Sequence, residues 1–155
     1  MSPLAESKSF YEQVAMTSKE LDDYLAPARL ARIATVQNGR PHLTPVWYLF
    51  DGKNFFVSTG IHTRKAINIR KNPNVSLVID SSDGMFRHKC VIVFGRAQIS
   101  REGHPAITQK IYARYLGQEG LKHPFAQDLL REDQYVVKIA PEKIVTWDYS
   151  KVIKS

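Results

Sequence analysis

The chain has 155 residues, 43% hydrophobic and 24% charged, which suits one domain, residues 1–155, with a core that needs no cross-links. Its formal charge of +7 favours anionic partners such as phosphates and acidic coenzyme tails. One cysteine excludes an internal disulfide and a cysteine metal cage, and no apolar run is long enough to cross a bilayer, so we expect a cytoplasmic protein without membrane contact.

The N-terminal part of the chain predicts helical structure. Residues 1–16 are weakly periodic and predict a short helix or an arm. Thr17 and Glu20 have the spacing of a capping box, which predicts a helix through about Leu25 that ends at Pro27.

A β-hairpin follows. Leu30–Val36 is rich in small and β-branched residues, and Asn38-Gly39 is a strong hairpin signal. The return strand is predicted over His42–Phe50. Because proline cannot donate to a strand ladder, Pro45 should lie at an edge, at a bulge or where the sheet opens toward a ligand.

The middle of the chain predicts strand, helix and strand. Asn54–Thr59 is the third strand, Arg64–Lys71 has a helical pattern, and Pro73 stops that helix. Val75–Ile79 is the fourth strand, and Ser81–Met85 is predicted as a loop.

The last part predicts a long strand, two helices and two closing strand segments. The segments are Lys89–Ser100 with a bend at Gly95, an amphipathic helix over Gly103–Leu116 capped by Gly117, a helix over Pro124–Leu130, and strands Tyr135–Ile139 and Ile144–Trp147 around Pro141. Helices do not alternate with strands, which disfavours a doubly wound sheet. We predict a mainly β fold, a six-stranded antiparallel β-barrel with flanking helices.

One turn could bind a phosphate. The hydroxyls of Ser58, Thr59 and Thr63, the amides at the start of the predicted helix and the Lys65 ammonium could converge on one anion. An ordinary capped turn with solvated cations is the alternative. Trp47 and Tyr48, on the second strand, could line an aromatic ring or belong to the core or to an interface.

No catalytic motif is present. The sequence contains no G-x-S-x-G, Walker, G-x-G-x-x-G or H-E-x-x-H motif. The five histidines lie far apart, so we expect no metal site: His42, His62, His88, His104 and His123. If the protein is an enzyme, a cofactor should supply the chemistry, and we assign no catalytic residue.

The order of several segments resembles the pyridoxamine 5'-phosphate oxidase-like, FMN-binding split barrels. The resemblance covers about residues 28–100, with a weaker one at Ile144–Trp147, and is nearest to the flavin- and deazaflavin-dependent oxidoreductases. The segments are Leu30–Val36, Asn38–His42, Pro45–Tyr48, Phe56–Gly60 and Arg64–Asp80.

This resemblance implies a homodimer with a cofactor in each groove between protomers, and hydride transfer between its ring and a small organic substrate. The ring would lie on Thr44, Pro45, Val46 and Trp47 and on Val57, Ser58 and Thr59. The phosphate would be held by Thr63, Arg64 and Lys65, with Asn68 nearby.

The identity of the cofactor stays open between FMN and the deazaflavin coenzyme F-420. The spacing of Lys65 and Asn68 looks more like the deazaflavin branch, whose coenzyme has an acidic tail that suits a chain of charge +7. The FMN-binding relatives share nearly the same turn. The tail that binds pyridoxal in true pyridoxamine phosphate oxidases has no counterpart after Trp147, so we do not expect vitamin B6 oxidation.

Two other functions compete. The first is a non-catalytic protein that binds a flavin or handles haem, and the second is a basic barrel that binds single-stranded nucleic acid. The second is disfavoured, because Trp47, Tyr48, Phe55 and Phe56 have few basic neighbours apart from Lys53.

Overall fold

The computed structural model describes residues 9–153, which form a mainly β fold with flanking helices. In chain order the elements are α1 (Phe10–Val14), α2 (Ser18–Leu25), β1 (Ala31–Gln37), β2 (Arg40–Val46), β3 (Leu49–Phe50), β4 (Phe55–Gly60), α3 (Arg64–Lys71), β5 (Asn74–Ser82), β6 (His88–Ser100), α4 (Ala106–Leu121), α5 (Pro124–Arg131), β7 (Gln134–Asp148) and a 3-10 turn (Tyr149–Lys151).

The strands form one antiparallel sheet in the order β2-β1-β5-β6-β7-β4-β3. Residues 134–139 of β7 pair with β4, while β7 also pairs with β6 along most of its length. The inner faces of these strands share one hydrophobic core, to which α2 adds Leu25 and α3 adds Ile69. The predicted antiparallel, mainly β barrel class is confirmed.

The predicted hairpin is confirmed, and its return strand lies at the edge of the sheet. Asn38 and Gly39 both have positive φ, 49° and 74°, as a two-residue turn of this kind requires. Pro41 and Pro45 both lie on β2, which pairs with β1 on one side only. An edge strand tolerates prolines, because no second ladder needs their missing N–H groups.

The predicted strand over His42–Phe50 is wrong as one element, which raises the strand count from six to seven. Strand β2 ends at Val46, and the two-residue β3 pairs with β4 instead. Trp47 and Tyr48 leave the sheet to pack on Tyr115 of α4: the Trp47 and Tyr115 rings are stacked, and the Tyr48 N–H donates to the Tyr115 hydroxyl at 3.1 Å.

The two predicted closing strands are one strand, β7. Strand β7 continues through Pro141, which pairs with Gly95, because a bulge in β7 leaves Glu142 as the extra residue beside it. A Cβ at Gly95 would lie 2.6 Å from the Ala140 carbonyl oxygen, so this close approach of two strands requires glycine.

The helices largely follow the prediction. Thr17 and Glu20 form the capping box of α2. Helix α4 begins at Ala106, later than predicted, and Gly117 interrupts it with a φ of 68° before it resumes to Leu121. Strand β5 extends to Ser82, so the predicted loop at Ser81 starts later. Of the predicted N-terminal helix or arm, α1 is observed, and residues 1–8 lie outside the described residues.

Candidate functional site

A cleft of about 280 Å³ lies where the end of β2, strand β4, helix α3 and helix α4 meet. Its lining is mainly apolar and aromatic, with one ammonium group and the hydroxyls of a serine and a tyrosine. The lining residues are Leu30, Pro45, Val46, Trp47, Ser58, Lys65, Ile111 and Tyr112. A flat, largely apolar ring with one anionic substituent matches this composition.

Aromatic packing holds the Trp47 side of the cleft in place. The Trp47 ring is stacked on Tyr115, with the ring centroids 4.8 Å apart and the planes 6° from parallel. Tyr112 meets Trp47 edge to face, with centroids 5.4 Å apart. Because α4 supplies both tyrosines, the segment that leaves the sheet after β2 is fixed by the helix opposite it.

Lys65 is a half-buried cation at the start of α3. It makes no hydrogen bond or ion pair through its side chain with any residue that the structure describes, and burial lowers the pKa of its ammonium group. The backbone N–H groups of Arg64 and Lys65, in the first turn of the helix, likewise donate to no described residue. An anion at this point would gain both the charge and the unpaired amides.

The threonines of the phosphate-binding prediction cap the helix. Thr63 accepts a hydrogen bond from the Ala66 N–H and donates to the Gly60 carbonyl at 3.0 Å. The Thr59 hydroxyl lies 2.6 Å from that of Thr63, so it must be the donor of this pair. Both hydroxyl protons are therefore used within the protein, which leaves the amides and Lys65 as the donors at this turn.

The alternation of β4 separates its predicted ring contacts. Val57 and Thr59 are buried on the inner face, whereas Ser58 points to the other side and lines the cleft. Arg64 is exposed at the first position of α3. The hydroxyl of Thr44 is buried and has no hydrogen-bond partner among the described residues.

Asn68 lies in the interior instead of the cleft. Its side chain is 1% exposed, and its amide nitrogen donates to the Thr35 hydroxyl at 3.0 Å. This bond ties α3 to β1. Its carbonyl oxygen and the Nδ1 atom of His42 are buried without a partner in the described part of the chain.

The structure thus brings together Pro45, Val46, Trp47, Ser58 and Lys65 of the predicted site residues. It adds Leu30, Ile111 and Tyr112, which the sequence reasoning missed as site residues. The signal for the last two was the apolar stripe of the predicted α4 helix, which we interpreted only as a packing face.

Comparisons with known proteins agree with this fold. A family model described as pyridoxamine 5'-phosphate oxidase matches residues 17–148. General stress protein 26 of Bacillus subtilis (strain 168) is 31% identical over 94 residues, or 61% of this chain and 66% of that protein. The chain therefore spans slightly less than two thirds of that curated relative's length.

Two solved structures extend the comparison. The conserved hypothetical protein Rv2991 from Mycobacterium tuberculosis superposes with a TM-score of 0.81 and 25% identity, over 96% of this chain and 95% of that one. A protein described as F420 reductase has a TM-score of 0.65 and 23% identity, over 79% of this chain and 94% of that one; this likeness shows the fold alone.

Among residues 9–153, no helix is long and apolar enough to span a bilayer, and no cluster of three or more potential metal ligands is found.

Proposed function

Because this chain belongs to the pyridoxamine 5'-phosphate oxidase family, we propose that it is an oxidoreductase that binds FMN or coenzyme F-420 and transfers a hydride to or from a small organic substrate. The observation that carries the proposal is the unpaired, half-buried Lys65 ammonium on an aromatic cleft. A buried charge without a partner is costly, so its retention is best explained by an anionic ligand that supplies the partner.

The residues present fit such a cofactor. Lys65 and the first amides of α3 would hold its phosphate, while Pro45, Val46 and Trp47 would support its ring. Ile111 and Tyr112 would exclude water from the opposite side. A bound flavin or deazaflavin supplies the ring that accepts and returns the hydride. The protein would contribute position, a dry surface and the charge of Lys65.

The proposed active unit is a homodimer. The cleft of one chain, about 280 Å³, is wide open to solvent, so a partner protomer would supply a second wall. Leu43, which is 64% exposed, lies on the same face of β2 as Pro45, which lines the cleft. Phe94 on β6 is 44% exposed. A partner that covers this face would therefore also reach the cleft.

Titration of the purified protein with FMN and, separately, with coenzyme F-420 tests the proposal. We expect saturable binding of one of them, with changes in its visible absorption, and turnover when a hydride donor and small electrophilic acceptors are added. Failure of both to bind would overturn the proposal. Binding without turnover across donors and acceptors would support the non-catalytic alternative.

The dimer is tested by the substitution Leu43→Glu, with Phe125→Glu as the matched control on α5, where the ring is 65% exposed. We expect Leu43→Glu to yield monomers in sedimentation and to lose cofactor binding, because the second wall is removed. The control should remain dimeric. A wild-type monomer that binds the cofactor with full affinity would contradict this arrangement.

A haem-handling role is disfavoured by the lining. The described lining of the cleft contains no histidine, cysteine or methionine, and among the usual axial ligands of haem iron it offers only the Tyr112 hydroxyl. Addition of haem to the purified protein should therefore produce no histidine, cysteine or methionine axial-ligand spectrum that depends on the cleft.

A further inference from the structure

A chain of three polar side chains connects the cleft to a histidine outside it. The Ser58 hydroxyl, in the lining of the cleft, lies 2.8 Å from the hydroxyl of Thr108. The Thr108 hydroxyl in turn lies 3.0 Å from Nδ1 of His104. Thr108 is 0% exposed, so water cannot replace either contact, whereas His104 is half-buried.

The proton count of Thr108 restricts the direction of this chain. Its hydroxyl has one proton and two partners, and no other described residue accepts from it. If both Ser58 and His104 donated to it, its own proton would be buried without an acceptor, which is unfavourable. The three groups must therefore donate in series, either from His104 toward the cleft or from the cleft toward His104.

The charge of His104 selects between these two directions. A protonated imidazole has an N–H on both nitrogens, so it can only donate to Thr108. Thr108 then donates to Ser58, and the Ser58 proton is free to donate to an occupant of the cleft. A neutral imidazole with its proton on Nε2 accepts from Thr108 at the bare Nδ1, and Ser58 then presents an acceptor to the cleft. A neutral imidazole with its proton on Nδ1 would donate like the charged form, so the charge selects the direction for the Nε2–H tautomer.

We propose that His104, Thr108 and Ser58 form a polarised hydrogen-bond chain in which neutral His104 is the Nε2–H tautomer, so that the charge of His104 sets whether Ser58 donates to, or accepts from, the molecule in the cleft. Histidine suits this role, because it changes charge between about pH 5 and 8. Binding of an occupant that accepts from Ser58 favours protonated His104, so binding takes up a proton. The proton uptake on binding rests on the proposed function, whereas the hydrogen-bond chain itself does not.

The charged groups around His104 must be considered with it. Asp133 forms an ion pair with Arg101, and the pKa of its carboxyl is lowered first by that arginine and then by the nearby charges of His104 and His62. Asp133 is thus a charged group that interacts with His104 from outside α4, and Arg101 and His62 act on the same carboxyl. Substitutions that test the chain therefore leave Arg101, Asp133 and His62 in place.

The first test follows the histidine resonances of the cofactor-free protein by NMR as a function of pH, with the His104 signal assigned by His104→Gln. Thr108→Val should move the His104 titration to lower pH, because the imidazolium loses its acceptor. Ser58→Ala should move it in the same direction, although Ser58 does not touch His104, because Thr108 then lacks an acceptor for its proton. Thr108→Ser, which keeps the hydroxyl, should restore the wild-type titration.

Ser76→Ala is the matched control, since this serine lies on β5 and makes no side-chain hydrogen bond with a described residue. It should leave the His104 titration unchanged. The decisive result is that of Ser58→Ala. If that variant folds and its His104 titration agrees with the control, the chain does not couple the two ends and the proposal is overturned.

The second test measures FMN binding by calorimetry in two buffers of different ionisation enthalpy, near the midpoint of the His104 titration. The oxidised ring is edged mainly by carbonyl oxygens and bare nitrogens, so we expect the wild-type protein to take up more protons on binding than Thr108→Val and Ser58→Ala. The phosphate of FMN, whose second pKa is about 6, contributes equally in all three proteins. An equal change in bound protons in wild type and variants would overturn the proposal. If FMN fails to bind, the same measurement is made with coenzyme F-420. If neither binds, the proposed function is wrong, and the NMR result alone decides on the chain.

Discussion

Two buried or half-buried cations in this protein have opposite surroundings. Arg114 of α4 donates to three backbone carbonyls at the end of α2, those of Leu25, Ala26 and Pro27, at 2.7 to 2.8 Å. Its guanidinium also lies over the Tyr48 ring, 4.9 Å from the centroid. Lys65 is half-buried too, yet none of the described residues pairs with its ammonium group.

The difference in hydrogen bonding distinguishes a cation that stabilises the fold, Arg114, from a cation that is available to bind a ligand, Lys65. Arg114 satisfies carbonyls that the last turn of a helix leaves without partners, and so it joins α4 to α2. Lys65 pairs with no group of residues 9–153, and its burial makes the charged form less favourable. An unpaired charge is useful only if another molecule completes it. This contrast makes Lys65 a better marker of function than the larger number of basic residues on the surface.

The largest expected effect is the loss of stability in Arg114→Met. This change removes three charge-assisted hydrogen bonds to backbone carbonyls but keeps much of the apolar volume, so the free energy of unfolding should fall by about 2–3 kcal/mol. Urea denaturation measures it. Arg131→Met, which removes an exposed pair with Asp128, should change the stability little. A similar change in both variants would contradict the structural role of Arg114.

Lys65→Met should weaken cofactor binding without lowering the stability of the protein, in contrast to Arg114→Met. We expect the affinity for the cofactor to fall roughly 10- to 100-fold, the range for a lost hydrogen bond to a charged group. Stability in the absence of cofactor should not fall, because an unpaired charge is removed. Lys71→Met, on the exposed last turn of the same helix, is the matched control for both measurements. Unchanged affinity would remove Lys65 from the binding site.

The smallest effect is a pH dependence. Because the pKa of Lys65 is lower in the folded protein than the ordinary value of 10.5, the unfolded chain binds more protons between these two values. Wild-type stability should therefore rise relative to Lys65→Met as the pH increases through this window. Unfolding of both proteins measured from neutral to alkaline pH checks the difference, and a parallel dependence would contradict the unpaired state of Lys65. Addition of cofactor should abolish the difference in pH dependence between wild type and Lys65→Met, because the phosphate then pairs with Lys65.

The parts of the fold that could be predicted were those determined by residues close together in the sequence. Asn38 and Gly39 specify their turn directly, and Thr63 and Arg64–Lys71 specify a capped helix. The placement of Lys65 beside the cleft followed from that helix together with a family resemblance that spans it. At the turn and the helix, the residues of the segment itself were sufficient to predict its backbone conformation.

What could not be predicted depends on contacts distant in sequence. The end of β2 at Val46 is decided by the packing of Trp47 on Tyr115, 68 positions later in the chain. The inner face of β4 is set by its pairing with β7, which sends Val57 inward and Ser58 toward the cleft. The burial of Asn68 depends on Thr35, a partner on another element.

The two prolines of β2 have a consequence for assembly. Gln37 and Arg40 close the hairpin, so positions 41, 43 and 45 are those whose N–H groups would face away from β1. Prolines occupy two of these three positions, and Leu43 alone offers a donor along that border. A strand from another molecule would therefore find almost no N–H donors on this edge. The edge of β2 is in this way protected against edge-to-edge pairing and fibre formation.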